Sequence, residues 1–381
     1  MSDNSLSDPG SLRDQRATSP ASGRGCSTTR RALIAAPLSA PLLAACDRFA
    51  AAAPAPPVIA PLKSLVPFPI GTCVQSDQVD QSAWSMLAET HVSQLTAEWE
   101  MKMEYILGPG GYRFGGPDRI ALYAARRNMA LHGHTLIWYS QGAEHFERLD
   151  DAAFARAFDD YIATVAGRYR GRVRSWDVVN EPILDDGSAM RDCHWSRRFG
   201  QDGYIIRAFE KAREADPNAV LFLNEYNLEG VPAKGATFMR LVERLLKAGC
   251  PIQGIGTQSH LWTTIPEGAV SASIRDLAGF GLPIHVSELD CTLRTEDRLD
   301  FRPRAERIAR QTALVTELAE AFAALPAAQQ FAFTTWGLRD TDSWYRKGDK
   351  DDGKDSPLPF DSLGRPNPMA QALATAFGTS A

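Results

Sequence analysis

Two glutamates stand in segments suited to acid–base work: Glu181 closes Trp176-Asp177-Val178-Val179-Asn180-Glu181, and Glu288 lies in His285-Val286-Ser287-Glu288-Leu289-Asp290. In both, apolar β-formers lead into polar residues, the pattern of a buried strand that delivers its last side chains to a rim. Two carboxyls at one rim can divide a reaction between them. One, held protonated, gives its proton to a departing oxygen, while the other, ionised, attacks the carbon that the oxygen leaves. At a sugar acetal, carboxyls about 5–5.5 Å apart suit direct attack through a covalent intermediate. A single strand-end glutamate is usually a solvated rim residue, so the inference rests on the pair and its neighbours.

The elements that would position such a pair can be read from the pattern. Short β-rich runs alternate with stretches of helical period, predicting strands at 70–74, 93–97, 130–137, 175–179, 220–223, 255–258, 284–287 and 331–335. Between them, 150–169 carries Phe154, Phe158, Tyr161, Ile162, Val165 and Tyr169 on one stripe, and 304–325 does the same with Ile308, Leu314, Leu318 and Phe322. Eight strand–helix alternations predict an α/β fold, a (β/α)8 TIM barrel forming a single catalytic domain over 67–381. A doubly wound open sheet is the nearest alternative, but the first βα turn lacks the G-x-G-x-x-G fingerprint. In a barrel, reacting groups sit at the C-terminal ends of strands. Glu181 and Glu288 occupy that position on the fourth and seventh predicted strands.

Composition narrows the function classes. The 381 residues are 44% apolar with a net charge of −5, which speaks against a nucleic-acid partner, since phosphate binding needs a basic surface. The six cysteines form no Cys-x-x-Cys pair, and no metal site is expected. His132-x-His134 has the spacing of a barrel metal pair, but it falls on the third predicted strand, without His and Asp partners in the expected order. His91, His145 and His194 have no constellation around them and read as structural or solvated. Residues 1–45 read as a targeting segment: a polar start, the paired Arg30-Arg31, then an apolar run from Ala32 to Ala45, too short to span a bilayer. The arginine pair implies twin-arginine export machinery as a partner. Leu43-Ala44-Ala45-Cys46 looks like a lipoprotein box, with Cys46 as the lipid attachment site and the only route to a membrane. Residues 46–66 form an Ala/Pro-rich tether. The expected location is therefore periplasmic, either anchored through Cys46 or soluble after cleavage among Ala50–Ala53.

Several further motifs follow in order: Glu98-x-Glu100-Met101-Lys102, Gly133-His134-Thr135-Leu136-Ile137-Trp138, Asn224-Glu225-Tyr226-Asn227, Gly254-Ile255-Gly256-Thr257-Gln258-Ser259-His260, and Trp336-Gly337 with Asp340 and Ser343-Trp344. Together with the two glutamate segments they resemble glycoside hydrolase family 10, the xylanases of the 4/7 barrel clan, from about Ile70 to Pro368. That resemblance implies a retaining, endo-acting β-1,4-glycan hydrolase without cofactor, with xylan or xylo-oligosaccharides as substrate. It assigns Glu181 as acid/base and Glu288 as nucleophile, and places Gln258 beside Glu181 and His260 against Glu288. Asn180 is expected to meet the sugar 2-hydroxyl and Asp290 to orient His260. Glu98, Lys102 and His134 are expected to bind sugar hydroxyls, and Trp138, Trp336 and Trp344 to offer flat faces to the rings. Trp176, which precedes the acid/base motif, reads as core.

The chain departs from the family pattern on one side. Trp99 stands for a usual Asn, Met103 for a Trp, Tyr139 for a His and Glu225 for an Asp, and Gln141-Gly142-Ala143-Glu144 replaces a Pro-containing turn. Trp99 and Tyr139 bear on sugar recognition rather than bond cleavage. β-1,4-Glucan or aryl glycosides therefore stand as alternative substrates, and a tethered glycan-binding protein without turnover as the rival of another class.

Overall fold

A computed structural model describes residues 58–294, 299–348 and 351–379. The targeting segment and Cys46 lie outside the described residues.

Eight parallel strands close on themselves: β1 (Ile70–Val74), β2 (Gln94–Ala97), β3 (Ala130–Gly133), β4 (Ser175–Asn180), β5 (Val220–Glu225), β6 (Gly254–Thr257), β7 (Ile284–Thr292) and β8 (Gln330–Thr335). Each pairs with the next, and β8 pairs with β1 through Ile70↔Phe333, so the ring of eight closes without an open edge. The helices predicted from apolar stripes run Asp151–Arg168 and Arg304–Ala323. The first is capped by Asp150, whose carboxylate accepts the Ala153 N–H at 2.8 Å.

The third strand differs from the expected continuous run. It stops at Gly133, and a separate short strand, Ile137–Trp138, pairs with the upper part of β4. The break is held by contacts to the neighbouring strand. The His134 ring turns to the Asp177 carboxylate at 2.8 Å, and the Thr135 hydroxyl and Leu136 N–H both donate to the Asp177 carbonyl. Both glutamate-bearing strands are also irregular at the rim. The β4–β5 register shifts between Asp177 and Val179, and the β7–β8 register shifts between Val286 and Leu289. Such bulges re-aim side chains and occur at barrel rims beside active sites.

Inside the ring the packing is close. Trp176 is fully buried, and a Cβ on Gly133 would lie 2.1 Å from its ring. A Cβ on Gly256 would lie 2.3 Å from the Asn224 amide oxygen, so that glycine leaves room for a polar group at the mouth. Leu62, which composition places in the tether, is 2% exposed and joins the core. The cysteines at 73, 193, 250 and 291 are free and buried. No helix among the described residues is long and apolar enough to cross a membrane.

Candidate active site

Glu181 follows directly on β4, and its φ of 57° lies in the left-handed region. A residue with a side chain pays roughly 1–3 kcal/mol for that conformation, and such outliers gather at functional sites. Ser259 (φ 56°), just before His260, and Asn227 (φ 59°), just beyond β5, share it. The Glu181 carboxylate accepts three neutral donors: Trp138 Nε1 at 2.8 Å on Oε2, and Gln258 Nε2 at 3.0 Å and Asn180 Nδ2 at 3.1 Å on Oε1.

Glu288 sits in the irregular part of β7 and is 4% exposed. Its Oε1 accepts Asn224 Nδ2 at 2.8 Å, and the same amide nitrogen lies 2.9 Å from Asn180 Oδ1. Two asparagines thus bridge one carboxyl to the other. Two histidines also face Glu288. His260 Nε2 stands 3.6 Å from Oε2 and His134 Nδ1 3.9 Å from Oε1. Burial would raise the Glu288 pKa, but His134 and His260 outweigh it and hold the carboxyl below its usual range. His260 is itself pushed up to about 10, because Asp290 at 2.9 Å and Glu288 together overcome the effect of burial.

Asp290 Oδ2 also accepts Trp344 Nε1 at 2.9 Å, so one carboxylate fixes both the imidazole and an indole of the loop after β8. His134 and His132 share Asp177 Oδ2, at 2.8 and 2.9 Å, and their protons hold the Asp177 carboxyl below its usual range against its burial. His134, Asp177 and Glu288 lie close enough to offer ligand atoms to one ion. Of these atoms, Asp177 Oδ2 is engaged with both histidines and Glu288 Oε1 with Asn224.

Trp336 is buried against His134, with ring centroids 5.3 Å apart. The Lys102 ammonium lies 4.8 Å over the Trp138 ring. Glu98 is engaged on both oxygens, by Gln75 at 2.7 Å and by Lys347 at 3.2 Å. Trp99 stacks on Tyr105 at 5.8 Å and lies under the Lys347 ammonium at 5.3 Å. Tyr139 packs under the Arg191 guanidinium at 4.1 Å, and burial and the nearby Glu181 charge push its hydroxyl up to about 12.

Residues 63–376 match the sequence model of Glycosyl hydrolase family 10. The chain belongs to this family. Endo-1,4-beta-xylanase A of Cellvibrio japonicus is 33% identical over 345 residues, a match that covers 83% of this chain and 56% of that protein. Endo-1,4-beta-xylanase B of Paenibacillus barcinonensis is 34% identical over 307 residues, covering 77% and 91%. Exoglucanase XynX of Acetivibrio thermocellus is 33% identical, but this chain spans only 28% of its length. The structure of a thermostable mutant of the Cellvibrio japonicus xylanase Xyn10A superposes with a TM-score of 0.76 at 32% identity, covering 84% of this chain and 99% of that one.

Family membership and motif order point to the strand ends, but three partners escaped that reading. Asn224 ends the inward part of β5 and bridges the two glutamates, so inspecting every strand end for amides would have found it. Asp177 and Lys347 act through partners far away in sequence and leave no local signal.

The two shifts on Glu288 and His260 have opposite pH signatures. The contribution of the raised His260 to stability is whole below the ordinary imidazole value near ~6.5, and it is lost as pH rises through about 10. That of the depressed Glu288 is present above the ordinary carboxyl value near ~4.3 and is lost as pH falls. Replacing His260→Gln removes the cation. The Glu288 titration, followed by carboxyl 13C NMR, should then move upward, and the stability gap to the parent chain, read by denaturant melts, should close above about pH 10. An unmoved Glu288 titration would show that His260 is not the source of its depression.

Proposed function

We propose that the chain is a retaining endo-1,4-β-xylanase in which Glu288 attacks the anomeric carbon and Glu181 serves as acid and then base. The observation that carries this reading is the unlike setting of two bridged carboxyls. Glu288 faces His260 and His134, which keep it ionised and ready to form the ester bond to the sugar. Glu181 meets only amide and indole donors, which orient it without supplying a compensating cation. In the first step Glu181 protonates the glycosidic oxygen as Glu288 forms its bond and the aglycone leaves with that proton. In the second, Glu181 takes a proton from water as the water displaces Glu288. Asn180 stands beside Glu181 and is tied to Glu288 through Asn224, where an amide can reach a sugar hydroxyl once substrate displaces its contact to Glu181. Trp138, Trp336 and Trp344 frame the mouth, while Glu98, Lys102 and Trp99 shape the side that recognises the sugar.

Xylan is favoured as substrate by the names of the relatives matched over most of their length. The crowding of Trp99, Tyr105 and Lys347 around Glu98 adds to this, since each hexose carries a hydroxymethyl group that a pentose lacks. Product analysis tests the reading. Xylo-oligosaccharides should be cleaved with a higher kcat/KM than matched cello-oligosaccharides, with the β-anomer released first by NMR. Glu288→Ala should abolish turnover. Glu181→Ala should lower kcat/KM by about 10²–10⁴-fold on natural linkages while sparing aryl substrates with good leaving groups. First release of the α-anomer, or equal loss on both substrate types, would contradict the assignment.

We also propose export and lipid anchoring at Cys46, supported by the arginine pair and the apolar run before it. Expression in a bacterial host should place the parent chain in the membrane fraction and Cys46→Ser in the soluble periplasm. The same fractionation for both would end the proposal.

A further inference from the structure

Beneath Glu181 lies a second pair of charges with no part in the chemistry above. Glu225 closes β5, and Lys234 stands in the first turn of the helix Pro232–Lys247. Neither is exposed at all, and Lys234 Nζ lies 3.0 Å from Glu225 Oε1. A buried ion pair is a poor source of stability, because removing two charges from water costs about as much as their attraction returns, and apolar replacements of equal volume are often neutral or better. Its presence here therefore asks for another reason.

The contacts supply one. Glu225 Oε2 accepts the Ile183 N–H at 2.9 Å, two residues beyond Glu181, and Oε1 accepts the Tyr226 N–H at 3.0 Å. Lys234 Nζ lies 3.2 Å from the centre of the Tyr226 ring. The Tyr226 hydroxyl bonds Asp185 and receives Arg191 Nη2 at 2.6 Å, and Arg191 Nε donates to the Glu181 carbonyl at 3.1 Å. On the other side, the Glu181 N–H donates to the Asn224 carbonyl at 2.9 Å. The left-handed turn at Glu181 is thus held at its own N–H, at its carbonyl and at the N–H two residues on, and two of those holds run through Glu225 or Tyr226. The loop is also seated tightly on the helix. A Cβ on Gly187 would lie 2.2 Å from the Lys234 backbone nitrogen, and the Thr237 hydroxyl donates to the Gly187 carbonyl at 2.7 Å.

We propose that Glu225 and Lys234 are positioning residues for Glu181, spending a buried ion pair to hold the main chain that aims its carboxyl. This rests on reading Glu181 as the acid/base. Removing one partner alone would leave an unpaired buried charge and endanger folding, so the test uses the neutral double variant Glu225→Gln/Lys234→Met. A misaimed acid harms substrates that need protonation and spares those that do not. For the double variant, kcat/KM on xylopentaose should fall by about 10²-fold, whereas kcat/KM on a dinitrophenyl xylobioside should hardly change. Should the double variant not fold, Glu225→Asp keeps both charges, shortens one arm and should show the same contrast at smaller size. Equal losses on both substrates, or no loss on either, would overturn the proposal. A parent chain that cleaves neither substrate would overturn the acid/base reading itself, and the positioning role with it.

Discussion

Two carboxyl groups share one barrel mouth, and the bridge Asn180–Asn224 ties them together while their other contacts make their surroundings unlike. Like charges at close range cannot both be comfortable in a dry site, so the chemistry needs one group that ionises readily and one that keeps a proton. The two carboxyls differ in partner type. Glu288 has histidines within ion-pair distance, one of them held cationic by Asp290. Glu181 has amide and indole N–H groups. Most other features of the mouth can be traced to keeping these partner sets apart and fixed.

Fixing them is costly, and the barrel offsets the cost with shape. The registers of β4 and β7 shift close to Glu181 and Glu288, and the break after Gly133 accompanies the contact of His134 to Asp177. Gly133 and Gly256 leave space where Trp176 and Asn224 must lie. Behind the acid/base candidate, the turn through Pro182 is fastened to β5 and the following helix rather than left to its own preference. The polar groups of the interior are thus arranged as a support for the rim, over a surrounding shell of apolar contacts between strands and helices.

Much of this was legible in the sequence, because periodicity is local. Apolar stripes gave the helices at 151–168 and 304–323 to within a few residues, and the β-rich runs gave the starts of all eight strands. The third strand ends earlier than expected, and the seventh runs on to Thr292, past Glu288. The rule that barrels act at strand ends singled out Glu181 and Glu288 before any contact was known. What was not legible depends on distant partners. Trp138 and Trp344 were expected to offer faces to sugars, and their indole N–H groups also fasten Glu181 and Asp290. Trp99, expected to bear on sugar recognition, is packed with Tyr105 and Lys347. Lys347 reaches Glu98 from 249 residues away, and no window of sequence contains both. The third strand read as continuous because its apolar residues do alternate; its interruption is held by contacts to Asp177 on the neighbouring strand.

The central claim is that Glu288 becomes covalently joined to the sugar while Glu181 does not. An aryl 2-deoxy-2-fluoro-β-xylobioside tests it directly, since the fluorine slows both steps and a good leaving group lets the first outrun the second. Incubation should add one fluoroxylobiosyl unit to the intact mass, and peptide mass spectrometry should place that unit on the segment containing Ser287-Glu288-Leu289. Label on the segment containing Asn180-Glu181, or turnover without any covalent adduct, would contradict the account.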